Sequence, residues 1–180
     1  MKLLGISGAL RKASTNTGLL RALSTMAPEG VEIEVATLHG IPLFDEDLEA
    51  EIGKPEAVKA LDAKIRAADG IIFACPEYNF SMTGVLKNAS DWLSRGGPFK
   101  WKRVGVIGAG GGQFVGTARA QYHLRQNLQA LQAITLPRPE VFINHNEDKF
   151  DANGDLIDDN ERRHLAKWLA AFIEWVEKKP

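Results

Sequence analysis

Residues 70–75, GIIFAC, contain no charged side chain and no polar group that needs water. A strand with one wet face has to alternate apolar and polar positions, and this run does not. It reads as a strand covered on both sides, which is the condition of a parallel sheet flanked by helices. KLLGIS at 2–7 and RVGVIGAG at 103–110 read as further buried strands.

Helical spacing separates these runs. Leu19, Leu20, Leu23 and Met26 mark a helix over about 16–26, and Val58, Leu61 and Ile65 mark one over 55–68 that starts with Pro55. Residues 84–95 are helical, and Leu124, Leu128 and Leu131 form the stripe of a helix over 117–132. VEIEVATL at 31–38 alternates as a half-wet strand. Ile134–Leu136 and Glu140–Ile143 are extended segments broken by Pro137 and Pro139, and Asp158 caps a last helix to about Val176. Segment 39–54 reads as a long surface loop with room for a short acidic helix.

The alternation of strand and helix implies a parallel sheet with right-handed crossovers. Five strands in 180 residues favour a flavodoxin-like three-layer α/β fold, sheet order 2-1-3-4-5, as one domain over 1–180. A net charge of −1 gives no field that calls for nucleic acid or an anionic membrane. The single Cys75 excludes an internal disulfide framework. The opening MKLLGISGALRK holds too short an apolar run for a signal peptide or a membrane span. A soluble, cytoplasmic protein is expected.

In such a sheet the loops after strands 1, 3 and 4 emerge at one edge, where ligands bind. Those three loops are the most unusual in the chain. The first, Ser7 to Thr17, offers small residues, hydroxyls and Arg11, and ends at a helix N-terminus. Backbone N–H groups, hydroxyls and a guanidinium together suit a phosphate; helix capping accounts for one of Ser14, Thr15 and Asn16 but not for the cluster. The second, Pro76-Glu77-Tyr78-Asn79-Phe80-Ser81, carries groups that stack and hydrogen-bond to a flat ring. The third, Gly108 to Gly116, includes Gly110, Gly111, Gly112 and Gln113, where glycines let backbone approach a ligand closely. Together they suit a mononucleotide with a flat ring.

Other chemistries lack their residues. There is no GxxxxGK[ST], no GxSxG and no HExxH, and His39, His123, His145 and His164 are scattered without ligand spacing. A phospho-receiver needs an Asp closing strand 3, where this chain has Pro76. Asp151 to Asp155 fails as a calcium loop, because Lys149 and Asn160 fall on its end positions, and is expected to be a turn. Cys75, closing an apolar strand, reads as small core and not as a nucleophile.

GISGALRKASTNT near the start, PEYNFSMTGVLKNASDW in the middle and GAGGGQFVGTARAQYHLRQ beyond them resemble the NAD(P)H-dependent FMN reductase family, which includes bacterial quinone, azo-dye and chromate reductases. The resemblance implies non-covalent FMN, with Arg11, Ser14, Asn16 and Thr17 at the phosphate. Pro76, Glu77, Tyr78 and Asn79 would line the ring, with Gly110 to Gln113 on the third loop. Ala9 departs from the family's usual serine and removes a hydroxyl, for which Ser7 is the candidate replacement.

The same resemblance implies a ping-pong reaction, with NADPH or NADH as co-substrate and a small-molecule acceptor: quinone, azo dye, metal oxyanion or flavin. The flavin would carry the chemistry, and no catalytic side chain is assigned. Family members form homodimers or homotetramers, and Trp92, Phe99, Trp101 and Tyr122 are the candidate interface aromatics. The rival readings are a flavodoxin-type electron carrier and a non-catalytic FMN-binding module. The modest charge argues against the first, and the Pro76–Asn79 loop against the second.

Overall fold

Every residue of the third strand, β3 (Gly70–Ala74), is buried, as its sequence requires. The computed structural model describes residues 1–111, 115–144 and 149–178. β3 lies between β1 (Lys2–Ser7) and β4 (Arg103–Gly110), both parallel to it. β2 (Glu32–Ala36) pairs with β1 at one edge, with Glu32 and Glu34 in water and Ile33 and Ala36 buried. The sheet order is therefore β2-β1-β3-β4-β5, as expected.

The far edge is one strand position filled in two pieces. β5 (Ile134–Thr135) pairs with the start of β4, and β6 (Val141–Asn144) with its end. Between them Pro137 and Pro139 lack the N–H that a continuous ladder needs, and the Arg138–Pro139 bond is cis.

Helices cover both faces. α3 (Glu56–Ala67), α4 (Gly84–Leu93) and α5 (Ala118–Ala130) pack on one; α1 (Thr15–Met26) and α6 (Asp159–Glu177) pack on the other. Strand side chains divide between them with a period of two. Ile71 and Phe73 join Val58, Ile65 and Leu124, while Ile72 and Ala74 join Leu19, Leu23 and Phe172. On α6, Trp168 and Phe172 are buried and stacked, with ring centres 5.2 Å apart. Each large side chain so buried contributes about 1.5–3 kcal/mol.

Some expectations shift. Pro55 sits one position before the first helical residue, with extended ψ of 154°. The acidic segment does form a short helix, α2 (Glu46–Ile52), capped by Asp45. Its Glu46 and Glu49 pair with Arg95 beyond α4. Trp92 and Phe99 are core residues and not interface aromatics: both are fully buried, and Trp92 Nε1 donates to Pro42 O at 2.9 Å. Trp101 and Tyr122 are exposed. Asp151 to Asp155 is a turn, in which Asp151 Oδ1 accepts from the amides of Asn153 and Asp155. Among the described residues no helix is long and apolar enough to cross a membrane.

Candidate functional site

The C-terminal ends of β1, β3 and β4 bring the three unusual loops around one cleft of about 350 Å³. Arg11, Ser14 and Asn16 come from the first loop, Pro76, Glu77 and Tyr78 from the second, and Gly110 and Gly111 from the third. Ala9, Thr15 and Ala109 complete the lining. A second hollow of about 310 Å³ lies against α3 beside the starts of β1 and β2. Its wall is mainly aliphatic and includes none of the loop residues.

In the first loop the hydroxyls and the amide divide their work. Ser14 caps α1, its Oγ accepting from the Thr17 amide at 3.3 Å. The amides of Thr15 and Asn16 begin the helix, so no carbonyl of an earlier turn faces them. They point with the helix dipole toward the cleft, together with the exposed Arg11. The Asn16 side chain clasps the backbone of Ala109: Nδ2 donates to its carbonyl at 2.8 Å, and its amide donates to Oδ1 at 3.0 Å. Ser7 and Thr17 stand behind the cleft wall. Ser7 is fully buried, its Oγ 2.7 Å from Thr17 Oγ1, and it accepts from the Ala9 amide at 3.3 Å. It braces the loop and does not replace a hydroxyl on the cleft side of Ala9.

The second loop is a tight hairpin. Tyr78 and Ser81 exchange two backbone hydrogen bonds, of 2.9 and 3.0 Å, around Asn79 and Phe80, which have φ of 50° and 64°. Two successive positive φ values are those of a type I′ turn. Pro76 and Tyr78 face the cleft, while Asn79 stands at the tip and does not line it. The Glu77 carboxylate turns to α5, accepting from Arg119 Nη1 at 3.0 Å and from the Ala120 amide at 3.1 Å. Arg119 and His123 were not legible in advance. They lie in the first turns of a helix with nothing local to mark them, and only the folded chain brings them to the hairpin.

In the third loop Gly110 and Gly111 line the cleft, whereas Gly112 and Gln113 lie outside the described residues, as do Phe114 and His145. Among the described residues, no heavy atom would lie within 4 Å of a side chain begun at Gly111, so the cleft reaches its Cα. Cys75 is buried beneath the loops, and burial, with the Glu77 charge beside it, pushes its thiol well above the ordinary range. It stays protonated and cannot serve as a thiolate nucleophile. Among the described residues no three His, Cys, Asp or Glu side chains are grouped to hold a metal.

These donors fit a phosphate beside a flat ring. Helix-terminal amides and Arg11 supply the anion site, Pro76 and Tyr78 a wall, and Gly110 and Gly111 an open backbone face.

Comparison with known proteins gives the same reading. The family model for NADPH-dependent FMN reductase matches residues 1–148. The NAD(P)H-dependent FMN reductase PA1204 of Pseudomonas aeruginosa is 48% identical over 180 residues, covering 99% of this chain and 96% of that protein. The quinone reductase of Escherichia coli K12 is 39% identical over 182 residues, covering 99% and 96%. Among solved structures, the flavoenzyme NAD(P)H:(acceptor) oxidoreductase FerB of Paracoccus denitrificans superposes with a TM-score of 0.87 at 32% identity, covering 98% of this chain and 97% of that one.

Proposed function

The chain belongs to the NADPH-dependent FMN reductase family, and from that premise we propose a ping-pong reaction in which NAD(P)H and then a quinone occupy the same open cleft in turn. It is an FMN-dependent NAD(P)H oxidoreductase. The observation that carries the proposal is the convergence of the Thr15 and Asn16 amides and Arg11 with the Pro76–Tyr78 wall in one cleft.

FMN, when bound, supplies a ring that takes a hydride from one substrate and returns electrons to another. The chain supplies position and electrostatics. The amides of Thr15 and Asn16 with Arg11 hold the phosphate, and Ser14 fixes the start of α1. Ser7 and Thr17 keep the loop in shape from behind. Pro76 and Tyr78 would flank the ring, and Gly110 and Gly111 would leave it room. Backbone N–H groups of these two loops not already used in the hairpin would stabilise a negatively charged ring. No side-chain acid or base is needed for hydride transfer, and the protonated Cys75 supplies none.

Lys87 is held by both oxygens of Asp91, at 2.6 and 2.8 Å. Arg11, exposed at the cleft, and the exposed Lys12 next to it in sequence are the cations proposed for a 2′-phosphate. The quinone reductase relative supports a quinone as acceptor. Tyr78 and Phe80 on the hairpin and Tyr122 on α5 expose large rings, which supports a homo-oligomer.

Initial rates of NADPH oxidation at varied benzoquinone test the reaction scheme. Parallel double-reciprocal lines are expected, because the first product leaves before the acceptor enters. Intersecting lines would contradict it.

A further inference from the structure

Phe80 holds a backbone conformation that a bulky side chain rarely adopts, with φ of 64°, directly after Asn79 at 50°. Such strain persists only where the surroundings over-determine it. Among the described residues, the side-chain hydrogen bonds, ion pair and ring contact that reach residues 77–81 come from one helix. The Arg119 guanidinium donates to Glu77 Oε1 at 3.0 Å and lies 4.2 Å from the centre of the Phe80 ring. The Ala120 amide donates to Glu77 Oε2 at 3.1 Å, and His123 Nδ1 is 2.9 Å from Ser81 Oγ. Residues 119, 120 and 123 lie close together on the first turns of α5.

α5 begins at Ala118, where the third loop ends. The clamp therefore joins two walls of the cleft: the hairpin that carries Tyr78 and the segment that carries Gly110 and Gly111. Arg119 alone grips two hairpin residues, one through its charge and one through the face of a ring. Its side chain is 49% exposed and it does not line the cleft. We propose that Arg119 is a positioning residue of the reductase, setting the spacing of the ring site through Glu77 and Phe80 without touching the ring itself. The proposal rests on the FMN reading for its consequence, not for the clamp.

The test compares Arg119→Ala and Arg119→Lys with the parent protein by two measurements. The first is amide hydrogen exchange of the 76–82 segment with no flavin added. The second is the dissociation constant for added FMN. In Arg119→Ala the segment should exchange faster while the rest of the sheet is unchanged. FMN affinity should fall by about tenfold to 100-fold, the scale on which misplacement acts. Lysine keeps the charge and the cation–π contact, and should recover most of both effects. In a Phe80→Gly background, which relieves the strained φ and removes the ring, Arg119→Ala should lose part of its effect on exchange. Unchanged exchange in 76–82, FMN affinity within about twofold of the parent, or exchange that rises uniformly across the sheet would overturn the proposal. If the parent protein binds no FMN, the reductase reading fails, and the exchange measurement still decides the clamp.

Discussion

The Asn16 side chain continues the β-ladder beside Ala109, where β3 has already ended at Ala74. Its carboxamide donates to the Ala109 carbonyl at 2.8 Å and accepts from the Ala109 amide at 3.0 Å. The clasp fixes the start of α1 against the third loop, so two walls of the cleft are held by one buried side chain. Asn16→Ala would leave both backbone groups of Ala109 unpaired. The expected cost is about 2–4 kcal/mol in urea unfolding, with weaker FMN retention. Asn16→Asp should do no better, because its carboxylate would face a carbonyl oxygen. A variant as stable as the parent would contradict the assignment.

Two glycines should respond oppositely to alanine. At Gly18 a Cβ would lie 1.8 Å from the Gly154 carbonyl oxygen, which is backbone and cannot step aside. Gly18→Ala is expected to cost at least about 3 kcal/mol. At Gly111 no heavy atom of the described residues lies within 4 Å of the added Cβ. Gly111→Ala should leave stability within about 0.5 kcal/mol and reduce FMN affinity, since the methyl enters the cleft. Thermal unfolding and FMN titration separate the two.

Asp62 gives stability a pH dependence. It is a buried residue of α3, and it accepts from both Lys54 and Arg66. Those cations donate onward to the carbonyls of Arg95 and Gly96. Burial by itself would raise the Asp62 carboxyl, but the hydrogen bonds and charges of Lys54 and Arg66 outweigh it and hold it below its ordinary value. A depressed carboxyl contributes stability that is complete above its unfolded-state value, about 3.9, and is lost as pH falls through the folded value. Asp62→Asn should therefore be less stable than the parent by about 1–3 kcal/mol near pH 7, with the gap closing below about pH 4. A gap that stays constant down to about pH 3 would show that the charge is not involved.

Cys75 should prove silent in catalysis. Cys75→Ala is expected to keep NADPH oxidation within about twofold of the parent and to lose about 1 kcal/mol of stability. The native thiol should resist alkylation until the protein unfolds, because it is buried and protonated. A large loss of activity with the flavin still bound would give it a role that its environment argues against.

The sequence disclosed the frame because burial on both faces leaves an unbroken apolar run, and GIIFAC and RVGVIGAG have one. The sheet order and the loops at one edge followed from that pattern; helix-terminus chemistry left the cap open among Ser14, Thr15 and Asn16, and the fold places it on Ser14. What stayed hidden depended on distance in sequence. Trp92 and Phe99 looked like surface aromatics because nothing local shows that Pro42 and Phe73 cover them. Ser7 and Asn16 looked like phosphate ligands of one kind. In the fold one braces the loop from behind and the other clasps a strand 93 residues away. Arg119 carried no signal, since an arginine in the first turns of a helix is ordinary until a strained hairpin packs on it.

The most direct test of the flavoenzyme reading is the visible absorption spectrum of the purified protein loaded with FMN, taken before and after NADPH is added without oxygen. The account predicts a bound-flavin spectrum that bleaches with NADPH and returns when benzoquinone is added. A protein that binds no FMN, or whose bound flavin stays oxidised with NADPH and NADH alike, would contradict it.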